Sequence, residues 1–169
     1  MQIRKSTKED LSNILGFYAH AREFMKSYGN PNQWGDSWPA EDVVVSDIEN
    51  GDSYLVIGDD GKAHAVFALI FESDPNYSYI DGKWPDDEPY AVIHRIASDG
   101  KIKGTLHEAV RYAKGKIGHI RIDTHKLNAP MLRAIEKEGF AYCGVINLLG
   151  RDGDDSRLAF ALTVSPLNS

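Results

Sequence analysis

Strand-like and helix-like segments succeed one another along this 169-residue chain in an order that few architectures accommodate. Residues 2–5 read as a short strand, and Ser6-Thr7-Lys8-Glu9-Asp10 supplies a capping hydroxyl with a carboxylate three residues on, which starts a helix. Leu11, Ile14, Leu15 and Tyr18 then recur at spacings of three and four, one apolar stripe that fades towards Met25 and Tyr28. Turn formers over residues 29–35 break that helix, and Pro39 with Glu41 and Asp42 opens a second that stops at Asn50-Gly51. Residues 53–57 and 63–71, joined by Gly58-Asp59-Asp60-Gly61, form a hairpin. Residues 90–97 are a strand, 104–114 a helix with Leu106, Ala109, Val110 and Ala113 on one face, and 120–124 another strand. Asn128 caps a further helix that tolerates Pro130 in its first turn and ends at Gly139, with Phe140 packing back. Strands over 140–148 and 157–164 complete the set. A single α/β domain spanning residues 1–169, a mixed sheet with helices on both faces, satisfies this order.

A domain of this length buries roughly 70% of the surface its unfolded chain exposes, so it needs no covalent staple. Cys143, the one cysteine, cannot form an internal disulfide, and a lone thiol suits a reducing cytosol. The N-terminal residues carry charge with no apolar run behind them, and no apolar run nears the ~18 residues of a membrane span. A cytoplasmic protein with no membrane partner is the expectation. The net charge of −6 opposes the phosphate contacts of a nucleic-acid binder and suits a neutral or cationic small partner.

The segment Ile93-His94-Arg95-Ile96-Ala97-Ser98-Asp99-Gly100-Lys101-Ile102-Lys103-Gly104-Thr105-Leu106 runs from a strand through a glycine-containing turn into a helix. The first turn of a helix leaves backbone N–H groups unpartnered at the positive end of its dipole, where an anion docks. Gly104 lets a diphosphate approach the backbone, and Lys101 and Lys103 add positive charge in an otherwise acidic chain. An ordinary strand-to-helix connection is the competing reading. The chain has neither a glycine-rich nucleotide loop ending in Gly-Lys-Ser/Thr nor an opening Gly-x-Gly-x-x-Gly, so a different phosphate ligand is required.

The junction resembles the acetyl-CoA loop of the GCN5-related N-acetyltransferases, whose pattern is Gln or Arg, two residues, Gly, one residue, then Gly or Ala. Lys101-Ile102-Lys103-Gly104-Thr105-Leu106 matches with Lys101 in place of Gln or Arg and Leu106 in place of the final small residue. Residues 120–140, with Asn128 capping and Glu136-Lys137-Glu138-Gly139-Phe140 closing, are similar to the family's later strand and helix, and the opening Ile3-Arg4-Lys5-Ser6-Thr7-Lys8-Glu9-Asp10-Leu11 to its usual start. The resemblance covers nearly all of the chain and is weakest between Trp34 and Glu88. It implies a mostly antiparallel sheet of about seven strands whose central pair, 90–97 and 120–124, splays to admit the pantetheine arm as an added strand. It implies direct transfer from acetyl-CoA, a cosubstrate, to a small-molecule or peptide amine, with no metal. Ile96, Ala97 and Ser98 would bind the cofactor, with a backbone N–H near Ile96 holding the thioester oxygen, while Lys101, Ile102, Lys103, Gly104 and Thr105 grip the pyrophosphate and Asn128 contacts the pantetheine or its phosphate side. A homodimer is compatible with it.

An attacking amine must lose a proton, and histidine has the fitting unperturbed pKa. His94 and His125 are the candidates by position, with Asp123 as a third; alternation places His94 on one face with Val92 and Ile96, where a structural histidine is the competing reading. Where many family members carry a tyrosine that protonates the departing thiolate, this chain has Ile135, and Tyr142 is the candidate substitute, against half-buried packing or protonation by water. Cys143 lacks a nucleophile's signature. The 74–88 stretch, with Pro75, Gly82 and Pro85, reads as an active-site loop or a passive insertion. Together with residues 30–38 it offers Trp34, Trp84, Asp86, Asp87 and Glu88 to a cationic acceptor; aromatics merely tucked against the sheet are the alternative. The competing functions are a non-catalytic acyl-CoA-binding or sensing module of the same fold and a ligand-free interaction protein.

Overall fold

The computed structural model describes residues 1–165. Strand β1 (Gln2–Lys5) leads through a single 3-10 turn, Lys8–Asp10, into α1 (Leu11–Ser27). The turn is held by a capping box in which the Thr7 N–H donates to Asp10 Oδ2 at 2.8 Å. Arg4 donates twice to the same carboxylate, at 2.8 and 2.9 Å, which holds Asp10 down at about 2 and ties the strand to the helix. Helix α2 (Glu41–Glu49) carries Glu41 and Asp42 in its first turn, where negative charge suits the dipole. The hairpin β2 (Ser53–Ile57) and β3 (Ala63–Ile70) follows as its sequence indicates.

Segment 74–88 is not a bare loop. It holds a 3-10 turn, Pro75–Tyr77, and a two-residue strand β4 (Asp81–Gly82) that pairs with Val145 and Gly144. The sheet therefore has eight strands where about seven were expected. Two residues carry no periodicity, and what permits this pairing is a close approach of two backbones: a Cβ on Gly82 would lie 2.1 Å from the Cys143 carbonyl oxygen. The remaining elements are β5 (Ala91–Ser98), α3 (Thr105–Lys114), β6 (His119–Thr124), α4 (Ala129–Lys137), β7 (Ala141–Asn147) and β8 (Ser156–Thr163).

The strand order is β1-β2-β3-β5-β6-β8-β7-β4, and among the described residues β5 with β6 is the one parallel pair. On one face α1 and α2 bury Ile14, Phe17, Tyr18, Val44 and Ile48 against Leu55, Val66 and Ala97. On the other, Leu106, Ala109, Val110, Ala113 and Ile135 from α3 and α4 pack on Phe67, Leu69, Ile93, Ile120 and Ile122. Each fully buried Leu, Ile or Phe side chain contributes about 1.5–3 kcal/mol by leaving water. A third cluster gathers Tyr77 with Val92, Ile146 and Ala159, so the 74–88 segment is nailed to the sheet by its own aromatic residue.

Two irregularities in the centre of the sheet open and shape the space beside it. The parallel pair is registered only at Ala91 with Ile120 and Val92 with Arg121; beyond these, β5 and β6 part as expected. In addition, Val66 pairs with Ala97 but Ala68 with His94, so Phe67 alone faces both Arg95 and Ile96. This bulge, with Arg95 at φ 49°, changes the alternation. His94 shares its face with Val92, but Ile96 turns to the opposite face and packs against the α3/α4 core, contrary to simple period-two counting.

Candidate functional site

Two depressions open where β5 and β6 part. A groove of about 850 Å³ runs between α1, the end of β5, the start of α3 and α4. A cleft of about 840 Å³ lies over the ends of β5 and β6, walled by the loop after α1, the segment after β3 and the β7–β8 connection. Met25, Ile96, Asn128 and Met131 line both, so groove and cleft join at those four residues.

The groove ends at the N-terminus of α3. Gly104 takes φ 78° as the residue before the helix, and the first helical bond is Glu108 N–H to Gly104 O at 3.0 Å. The N–H groups of Thr105, Leu106 and His107 precede it and have no helical acceptor, the arrangement that receives a phosphate. Ile96, Ala97, Ser98, Lys103, Gly104, Thr105 and Asn128 all line this groove. Lys101 and Ile102 do not: the lysine side chain is 74% exposed with its ammonium 3.9 Å from Asp99, and Ile102 packs into the main core. Leu106, at the position of the pattern's final small residue, lines the groove but is only 4% exposed, because its side chain is buried in that core.

The bulge that shapes the meeting point is held from two sides. Asp47, buried on α2 between Val44 and Ile48, accepts from Arg95 Nε and Nη2 at 2.7 and 2.8 Å, and Tyr18 donates its hydroxyl to the Arg95 carbonyl at 2.9 Å. Such a bidentate pair over-determines a backbone conformation that a non-glycine residue otherwise avoids. Asp47 was detectable in the sequence as a carboxylate inside the apolar stripe of its helix. Its partner across 48 residues was not.

In the cleft, His94 Nε2 lies 2.6 Å from Asp74 Oδ2, and its Nδ1 is 3.9 Å from Asp123 Oδ2. A carboxylate only accepts, so in the neutral ring Nε2 carries the proton and Nδ1 keeps its lone pair. Asp123 also accepts from the Tyr77 hydroxyl at 2.6 Å. Burial pushes Asp74 up, but the hydrogen bond and charge of His94 and two bonds from Asn76 outweigh it, leaving the carboxyl below its ordinary range. Tyr77 is raised well above the usual phenol range by burial and by Asp123, so it stays a donor. Trp34 lines the cleft, as do Asp36, Glu72 and Asp152.

His125 is 1% exposed; it accepts the Leu127 N–H on Nδ1 at 3.0 Å and pairs with Asp154 through Nε2 at 2.7 Å. Both ring nitrogens are spent on tying the β6–α4 connection to the β7–β8 loop, and the ring lines neither depression. Tyr142 is 60% exposed and meets Phe160 edge-on, outside both. Cys143 sits half-buried on the same strand, its thiol pushed up by burial.

Trp84, Asp86, Asp87 and Glu88 are not in the cleft either. The Trp84 ring carries the Arg121 guanidinium 4.1 Å from its centroid, the Asp86 carbonyl accepts from Arg121, and the Asp86 carboxylate lies 3.1 Å from His119, the first residue of β6. These contacts fix the segment at the end of β6 opposite the cleft. The charge pattern of 86–88 gave no sign of which end of the sheet it would reach.

Among the described residues no group of three or more His, Cys, Asp or Glu is placed to hold a metal, and no helix is long and apolar enough to cross a membrane. No protein-family model and no curated protein matches the chain in sequence. Solved structures do resemble it. An acetyltransferase of the GNAT family from Streptococcus agalactiae 2603 superposes with a TM-score of 0.85, covering 97% of this chain and 95% of its own at 29% identity. One from Listeria monocytogenes 4b F2365 gives 0.69 over 96% and 94% at 17% identity. A Salmonella typhimurium protein described as a candidate acetyltransferase, solved with its cofactor acetyl-CoA, gives 0.63 over 99% and 96% at 14% identity. At those identities the last two bear on fold alone.

Proposed function

We propose that this chain, which has the fold of the GCN5-related N-acetyltransferases, is an acyltransferase that passes the acetyl group of acetyl-CoA directly to a primary amine. The observation that carries the reading is the joining of groove and cleft at Ile96 and Asn128, beside a histidine whose free Nδ1 belongs to the cleft. Acetyl-CoA would be held in the groove, its pyrophosphate on the amides of Thr105, Leu106 and His107 and its arm along the unpaired edge of β5.

The acceptor would enter the cleft. An alkyl amine has a pKa near ~10.4 and arrives protonated, which the carboxylates of Glu72, Asp123 and Asp152 favour. Nδ1 of His94 takes the proton the nitrogen must lose, and Asp74 and Asp123 stabilise the imidazolium that results. The nitrogen then bonds the acetyl carbon and the carbon–sulfur bond breaks, giving the amide and CoA.

Calorimetric titration with acetyl-CoA, followed by thiol-release assays across a panel of cationic, neutral and anionic amines, tests the reading. Micromolar binding with turnover confined to cationic amines is the expected result. Binding without turnover for any amine would support the sensing module instead.

A further inference from the structure

The transfer leaves a thiolate, and a positioned O–H beside the sulfur lowers the barrier to its departure. The α4 position before Glu136 and Lys137 cannot provide one, because Ile135 is wholly buried in the main core. Of the other proton-bearing side chains along the groove, His20 faces Gly100, Ser98, Lys103, Thr105 and His107 lie towards the start of α3, Lys137 closes α4, and His107 is engaged by Glu138 at 3.1 Å. Among the described residues, Tyr28 is the one of these that hydrogen-bonds a residue shared by groove and cleft: its hydroxyl donates to Asn128 Oδ1 at 2.9 Å.

We propose that Tyr28, the residue that ends α1, is the proton donor to the departing CoA thiolate, an assignment that rests on the acetyl transfer proposed above. Three features fit it for the role. Tyr28 lines the groove and not the cleft, and its hydroxyl reaches Asn128 at the junction of the two, where the thioester would sit. The ring is fixed edge-on by Phe24 with centroids 5.0 Å apart, and Asn128 is fixed in turn by the Met131 N–H at 3.2 Å and by Gln33 at 2.9 Å. Burial raises the Tyr28 phenol, against a smaller opposite pull from Asn30, so it remains protonated at neutral pH.

The step balances. As the carbon–sulfur bond breaks, the electron pair stays on sulfur, the phenolic proton turns from Asn128 to that sulfur, and CoA leaves as the thiol. The phenolate regains a proton from solvent, and the proton lost by the amine returns to solvent through His94.

Tyr28→Phe keeps the ring and removes the proton. We expect kcat to fall roughly tenfold to a hundredfold, the low end of what a positioned acid supplies. The acetyl-CoA dissociation constant should stay within about twofold, since the lost hydrogen bond is to Asn128 and not to the cofactor. Imidazolium buffer should restore part of the lost rate in the variant and leave the wild type unchanged, which a purely structural role would not produce. A variant kcat within about threefold of a wild type that turns over would overturn the donor role alone, at a site where ~10²-fold was at stake. So would a loss that tracks weakened acetyl-CoA binding and ignores buffer acid. A wild type that binds acetyl-CoA but releases no thiol with any amine would overturn the acetyl-transfer reading and the donor role together. Should Tyr28→Phe not fold, single-turnover rates of the wild type across H₂O/D₂O mixtures decide: a curved inventory that needs two protons in flight supports a donor beside the His94 base, and a linear one-proton inventory counts against it.

Discussion

The groove and the cleft share Met25, Ile96, Asn128 and Met131, yet the groove is walled largely by backbone, helix ends and apolar side chains, and the cleft adds to its apolar lining charged side chains drawn from six separate segments. Backbone amides are present whatever side chain stands above them. The groove therefore tolerates Lys101 and Leu106 where the family pattern differs, because the lysine points to solvent and the leucine into the core. The cleft has no such latitude. His94 becomes a candidate base only because Asp74, twenty residues earlier, comes within 2.6 Å of one ring nitrogen and leaves the other free. His125, with an equally short carboxylate contact, does not, because its second nitrogen already accepts a backbone N–H.

The largest effect should come from breaking the groove without touching the cleft. Gly104→Glu places a carboxylate against the amides of the first α3 turn at a residue with φ 78°, and acetyl-CoA binding should weaken roughly 100-fold or more. Calorimetry on the folded variant checks it. Unchanged affinity would move the cofactor out of the groove and dissolve the contrast.

Next comes the pair of histidines. His94→Gln should lower kcat by about 10²-fold with acetyl-CoA affinity intact, the size expected for a positioned base. His125→Gln should leave kcat within a few-fold and reduce stability by about 1–3 kcal/mol, because it removes a buried ring that accepts the Leu127 N–H and reaches out to the exposed Asp154 carboxylate. Steady-state rates together with denaturant unfolding separate the two, and a reversal of the roles would show that burial was misread as exclusion from the chemistry.

The smallest effect distinguishes the two acidic regions. Glu72→Gln with Asp152→Asn should raise the amine KM severalfold and flatten its salt dependence, as expected when charges that steer a cation are removed. Asp86→Asn, Asp87→Asn and Glu88→Gln together should leave the amine KM unchanged, since none of the three lines the cleft and Asp86 holds the segment to His119 and Arg121 at the far end of β6. A KM that rises only in the second set would put the acceptor at that end of the sheet.

Local information in the chain carried nearly every element. The Thr7 and Asn128 caps, the stripe on α3 and the Gly104 and Gly139 helix boundaries each involve residues within a few positions of one another, and each sits where periodicity and cap chemistry put it. The glycine-led approach to α3 was visible for the same reason: a helix N-terminus offers its amides wherever it forms. Side-chain partnerships across long separations were decided only by the folded chain. These include Asp74 with His94, Asp47 with Arg95, Tyr28 with Asn128 across 100 residues, and the Gly82 and Gly144 contact that adds an eighth strand. The bulge at Arg95 belongs with them, for it depends on Asp47 and Tyr18 arriving from two helices. Cap and stripe chemistry is written into neighbouring residues, whereas a site assembled from six segments exists only once the sheet has fixed which strand ends lie together, and that register is a property of the packed core.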